Sequence, residues 1–470
     1  MLFYDPLFLT CFPLLYVLYF AADAARTKRW ILLIGSGLFY LWGEPLFVPV
    51  VVASALIDHL LARAIDRSSN PSMRRALLAL GVAQNIAILI VYKYTSFALE
   101  SLNVLLAAGQ LGALPVWQIA LPIGVSFVTF EKITYLVDTY RGVSQPARRF
   151  SDYCLFVFFF PKLLAGPILK YHEIDRQIAV PRGFDWNDCG AGLARFAQGA
   201  FKKLLIADPL GHYADQVFGA DPATLSMGAA WLGTVCFTLQ IYFDFSGYSD
   251  MAIGIARMLG FSLRENFNMP YISRSITEFW RRWHISLTTW IRDYLYIPLG
   301  GNRGGAFLTY RNLWICFLLS GLWHGASWNF VLWGAYNGLF LTLDRMFLER
   351  WLQRSGAVIA TAATLLIVML GWVIFRSPDA AHLGGFFAAL AGFGQATAWL
   401  PPPVSVLWTA TLGIALSLIP ALPVFGSLCA AWRSVSVLRL AGYVGLGALG
   451  TIAIARAVAI PFQPFIYFRF

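Results

Sequence analysis

Charge is what this chain has least of. Only 13% of its 470 residues are Asp, Glu, Lys or Arg, whereas 59% are hydrophobic and mean hydropathy is +0.65; soluble domains carry about 25% charged residues. A water-soluble globule is therefore excluded, and an all-α polytopic membrane protein is what remains. Cysteine is also scarce. Cys11, Cys154, Cys189, Cys236, Cys316 and Cys429 form no C-x-x-C pair and mostly fall in apolar segments, so neither disulfides nor a metal site is expected. The net charge is +11. The basic residues sit in short loops between apolar runs, a pattern of membrane orientation and not of nucleic-acid binding. Also missing are an internal repeat, a low-complexity segment and any loop long enough to hold a soluble domain.

What is present is a series of apolar runs. MLFYDPLFLTCF lacks the basic start of a signal peptide, so the first run, residues 6 to 25, is expected to stay in the membrane. It ends at Arg26, Lys28 and Arg29; the second run ends at Gly43-Glu44-Pro45, and the third at Arg63, Arg67, Arg74 and Arg75. The positive-inside rule then puts the N-terminus outside and the basic loops in the cytoplasm. Continued along the chain, this reading gives about 11 transmembrane helices plus re-entrant or interfacial ones. They form one membrane domain over 1–470, with N-terminal helices in 1–115, a core in 116–350 and C-terminal helices in 351–470.

Several polar groups interrupt the runs. Glu131 and Lys132 are adjacent, point in different directions on a helix, and are expected to pair with other helices. Residues 152 to 169, broken by Pro161, Lys162, Gly166 and Pro167, read as a candidate re-entrant segment. His172 and His382 read as solvated loop residues, and Lys202 and Lys203 as a basic face reaching lipid headgroups. Asp244 and Asp250, six apart, do not share a helical face; they are either interhelical hydrogen-bonding groups or part of a site lining.

Chemistry concentrates between Tyr271 and Asp344. Ser275-Ile276-Thr277-Glu278 has capping-box spacing, and Trp280, Trp283, Leu287, Trp290 and Tyr294 recur at helical intervals, predicting one helix from Ser275 that carries His284. Arg281, Arg282 and Arg292 lie off its apolar face and suit either a lipid surface or, with Arg264 and Arg274, the phosphates of an acyl donor. The Leu299 to Gly305 turn is too short, and lacks the Lys-Ser/Thr, for a phosphate loop. From Asn312 to Leu343 no charged residue occurs, and His324 sits in the middle. An ionisable residue at that depth is a candidate site. On a continuous helix Ser320, His324 and Ser327 share a face bordered by Trp328, while Gly321/Gly325 and Gly334/Gly338 permit close helix approach.

FPKLLAGPI (160 to 168), QIYFDFSGYSDMAIG (240 to 254), NFNMPYISRSITEFWRRWHISLTTWIRDYLYIPLGG (266 to 301), GLWHGASWNFVLWGAYNG (321 to 338) and the final FIYFRF closely resemble the membrane-bound O-acyltransferase superfamily. Within it the chain is similar to the bacterial alginate O-acetylation type, related to the teichoic-acid D-alanylation protein. The family's essential intramembrane histidine falls on His324 and its second histidine on His284.

The resemblance implies helices ringed around a central funnel, a cytoplasmic donor, acetyl-CoA or an acetyl carrier, and an acceptor from outside. It implies periplasmic SGNH-hydrolase-like partners, an exported polysaccharide as final acceptor and the bacterial inner membrane as location, with no permanently bound cofactor. An imidazole titrates near pH 6.5 and can take a hydroxyl proton, so His324 is expected to be the base or the acyl carrier. His284 is expected to orient the donor or line the cytoplasmic mouth, with Arg281, Arg282, Trp283, Ser320, Ser327, Trp328 and Asn329 as donor- or substrate-binding candidates. D-alanyl transfer to teichoic acid, or transport without acyl transfer, are the rival readings.

Overall fold

The computed structural model describes residues 2–398, 400–422, 424, 426–427, 436–459 and 465. Cys429, Arg433 and the aromatic tail apart from Phe465 lie outside them. The described residues form α, 3-10 and π helices and no strand. Backbone polar groups satisfied within each segment are what a lipid environment demands. Among the described residues, five stretches are long and apolar enough to cross a membrane: Val48–Arg67, Pro71–Ala108, Ala357–Arg376, Val404–Ala421 and Leu440–Ala457. Pro6–Ala21 and Ala380–Leu390 are apolar but shorter.

The chain divides into two compact units, Met1–Leu193 with Ala252–Arg264, and Ala194–Met251 with Glu265–Phe470. In the first, the Val125–Arg141 helix carries Glu131 and Lys132 into different partners, as their adjacency predicts. Lys132 meets Asp58 at 3.2 Å and Ser54 at 2.6 Å. Asp58 also accepts from Gln84 at 2.8 Å and Asn85 at 2.9 Å. Glu131 pairs with Lys162 and accepts from the Leu169 amide at 3.2 Å. Burying such charges is tolerable only because each is paired and hydrogen-bonded. The expected break is present, with one helix ending at Phe158 and a short turn at Phe160–Leu163. His172 is not simply solvated, because its Nδ1 lies 2.8 Å from Asp138 in the helix it packs against.

In the second unit the lysines are not a headgroup face. They lie in the Phe201–Ala207 π turn, where Lys202 pairs with Asp250 at 2.7 Å and Lys203 with Asp208 at 2.7 Å and Asp244 at 2.9 Å. A π turn adds a residue and rotates both side chains toward the Met227–Met258 helix, a register that a 3.6-residue pattern does not foresee. His382 is likewise no loop residue: it lies in the Ala380–Leu390 helix, half-buried, with Nε2 2.9 Å from the Phe218 carbonyl and its ring stacked near Phe386.

Candidate active site

The two histidines sit at two breaks in helices that the sequence pattern joins. The first expected helix is two: Ile276–Arg282 and Ile285–Ile291, separated at Trp283-His284. Ser275 begins it as predicted, accepting from the Glu278 amide at 3.1 Å, but Glu278 reaches the Arg274 amide at 2.9 Å instead of closing a reciprocal box. His284 adopts φ 44°, ψ 54°, the left-handed region. A non-glycine residue there persists only where its surroundings over-determine it. They do so here: the Ile285 amide donates to the Asn266 carbonyl at 2.9 Å and the Asn268 amide to the Arg282 carbonyl at 2.9 Å, so residues 266–268 clip both sides of the break.

The second break separates Gly305–His324 from Trp328–Leu343. His324 is therefore the last residue of its helix, and Ser327 stands just before the next one, with extended backbone, instead of sharing a face with Ser320 and His324. Trp328 is 65% exposed and opens the returning helix, so it does not border a stripe with His324. The two helices form a close hairpin whose approach depends on glycine. A Cβ on Gly321 would lie 2.1 Å from the Phe330 carbonyl oxygen, and one on Gly334 2.4 Å from that of Phe317. Upstream, Asn312 secures the glycine turn by donating to the Gly301 carbonyl at 2.9 Å and that of Leu299 at 3.2 Å.

Aromatic rings house both histidines. His324 is buried against Trp323 (ring centroids 4.9 Å), Trp333 (5.1 Å) and Phe375 (5.5 Å), all nearly perpendicular to it. Edge-to-face contacts of this kind add about 0.5–1.5 kcal/mol each beyond burial. Trp333 stacks on Trp372 at 6.0 Å, and Trp372 lies 4.9 Å from Trp283. His284 has no solvent exposure and stands edge-on to Phe245 at 4.7 Å and Trp323 at 6.1 Å. Trp323 is thus common to both imidazoles; centroid distances of 6.1 and 4.9 Å from it put the two rings no more than about 11 Å apart.

His284 Nδ1 lies 3.2 Å from Asn266 Oδ1, which also accepts from the Ser286 amide at 3.2 Å and hydroxyl at 2.9 Å. Complete burial pushes the His284 imidazole down to about 3, so it is neutral at physiological pH. The arginines are differently placed. Arg282 pairs with Glu278 at 2.8 Å, Arg264 in the first unit pairs with Glu173 at 2.5 Å, and Arg281 is exposed. Trp283 is buried in the ring cluster, Ser320 is buried, and Asn329 donates to the Ser377 carbonyl at 2.6 Å. Sequence reasoning missed Asn266, Phe245, Trp323, Trp333, Trp372 and Phe375. Asn266 left one legible trace, an amide opening the quoted NFNMPY stretch, but nothing in spacing tied it to a residue 18 positions on.

The family model described as membrane-bound O-acyltransferase matches residues 146–375, which hold both histidines. A probable alginate O-acetylase of Azotobacter vinelandii is 43% identical over 400 residues, covering 84% of this chain and 79% of that protein. A peptidoglycan O-acetyltransferase of Helicobacter pylori is 36% identical, covering 81% and 77%. A teichoic acid D-alanyltransferase of Bacillus subtilis is 26% identical, covering 55% of this chain and 70% of its own.

Proposed function

The chain belongs to the membrane-bound O-acyltransferase family, and on that premise we propose that this membrane-embedded O-acyltransferase passes acetyl groups from a cytoplasmic donor toward an exported polysaccharide. Relatives that cover 81–84% of this chain carry names of alginate or peptidoglycan O-acetylation, which favours acetyl over D-alanyl. In this reading acetyl-CoA or an acetyl carrier delivers the group, and periplasmic SGNH-hydrolase-like proteins carry it to an alginate-like polymer. About 11 membrane segments surround a central funnel in the bacterial inner membrane, and the N-terminus faces the periplasm.

The observation that carries the reading is the pair of buried histidines whose rings both contact Trp323. Acyl transfer to a hydroxyl forms an ester C–O bond and breaks the donor's C–S bond, while the hydroxyl proton must reach the leaving thiolate. His324 would take that proton as base or carry the acyl group transiently, and the aromatic rings exclude the water that would hydrolyse the donor. Arg281, exposed and unburdened by the Glu278 pairing that occupies Arg282, is the better of the two candidates for a donor phosphate.

The test is mass analysis of exported polymer from cells with and without the protein, alongside a His324→Ala variant held at equal membrane level. Acetyl esters should vanish without the protein, and the variant should lose transfer by about 100-fold or more. Unchanged acetylation in the variant would remove His324 from the chemistry. D-alanyl esters in place of acetyl, or polymer export altered with no acyl group moved, would replace the reading with one of its rivals.

A further inference from the structure

Resting on the reading that His284 belongs to the acyl-transfer site, we propose that Asn266 is a positioning residue that holds His284 in the tautomer with its hydrogen on Nδ1, leaving Nε2 as the bare, proton-accepting nitrogen. The backbone amide of Ser286 can only donate, and it donates to one Asn266 side-chain atom at 3.2 Å, so that atom is the oxygen. The Ser286 hydroxyl donates to the same oxygen at 2.9 Å, and the amide nitrogen of Asn266 donates the other way, to Ser249 Oγ at 3.3 Å. An amide oxygen has no hydrogen, so the His284 nitrogen 3.2 Å from it, Nδ1, must supply one. A neutral imidazole has a single N–H, and burial keeps this one neutral.

Nε2 is then a lone pair without hydrogen, fully buried and without a hydrogen-bond partner among the described residues. Buried acceptors are normally satisfied, and an exception at a site is a place where a ligand completes the set. The backbone argues the same way. The Ile285 amide, next to the left-handed His284, donates to the Asn266 carbonyl, so one residue both clips the break and holds the ring that the break presents. A bare neutral nitrogen accepts a hydrogen bond from an O–H or N–H group and has nothing to offer a phosphate. His284 is thereby separated in role from the arginines two and three positions before it.

The protein has six histidines, which makes imidazole-15N labelling of the full chain in detergent or lipid tractable. The His284 signals are assigned by their loss in a His284→Gln variant. In the unaltered protein Nδ1 should resonate as a protonated, pyrrole-type nitrogen and Nε2 as a bare, pyridine-type one. Asn266→Ala should abolish that preference and lower acetyl transfer at least tenfold at equal membrane level, whereas Asn266→Asp, which keeps the oxygen, should keep Nδ1 protonated. Hydrogen on Nε2 in the unaltered protein, or Asn266→Ala leaving both nitrogen signals in place, overturns the inference whatever the activity. The spectrum does not depend on turnover, so an unaltered protein that transfers no acetyl group would instead overturn the proposed function.

Discussion

At the scale of single residues, burial decides more than identity. His284 and His324 are both imidazoles in aromatic surroundings, and the Asn266 contact of His284 names its proton-bearing nitrogen. The neutral form of His284 also has a stability consequence. Its pKa lies near 3 in the folded chain and near 6.5 in an unfolded one, so between those values the unfolded state binds more protons. Nothing is lost above pH 6.5; below it, stability falls by up to about 1.4 kcal/mol per pH unit until the folded pKa is reached. His284→Gln, which cannot take up that proton, should therefore show a shallower decline of thermal stability between pH 6.5 and 4.5 than the unaltered protein. Parallel declines in the two proteins would mean that His284 is hydrated or charged in the fold.

At the scale of elements, the site is made by interruptions. Two helices that the apolar pattern runs together are cut at Trp283-His284 and at residues 325–327, and each cut exposes a histidine to the same indole. The hairpin that positions His324 rests on backbone approaching backbone at Gly321 and Gly334, where no side chain can move aside. Gly334→Leu should force the two helices apart, costing about 1–3 kcal/mol or more and displacing Trp333 from His324. Thermal unfolding in detergent and acetyl transfer should fall together. Gly338→Ala is the matched control, since its added Cβ would meet Trp314 at an ordinary 3.5 Å, and it should be tolerated. A tolerated Gly334→Leu would show that the hairpin is looser than these contacts.

At the scale of the whole molecule, the sparse charges do two different jobs. Those in loops carry the proposed orientation signal, and several within helices pair inside the fold, as Lys132 with Asp58, Glu131 with Lys162 and Lys203 with both Asp208 and Asp244. The proposed orientation is open to direct measurement in a cysteine-depleted background. A cysteine at Pro45, exposed between Ala25–Gly43 and Val48–Arg67, should react with a membrane-impermeant maleimide on intact cells. One at Ser69, exposed between Val48–Arg67 and Pro71–Leu89, should react only after permeabilisation. The reverse pattern would invert the topology.

The amino-acid sequence alone determined that the chain is helical and membrane-embedded, that it belongs among O-acyltransferases, and that Glu131 and Lys132 seek separate partners, because composition, motif and helical periodicity are local properties. It could not place the breaks at His284 and His324. Apolar side chains on both sides continue the same pattern, and the left-handed residue and the glycine contacts are stabilised by groups distant along the chain. For the same reason His172, His382, Lys202 and Lys203 looked solvent- or lipid-facing until the helices that carry Asp138, Phe218, Asp250, Asp244 and Asp208 were packed against them. Tertiary packing alone decided that His284 meets Trp323, the sequence neighbour of His324, and that Asn266 reaches the ring of His284, since a hydrogen bond between residues 18 apart has no periodic signature.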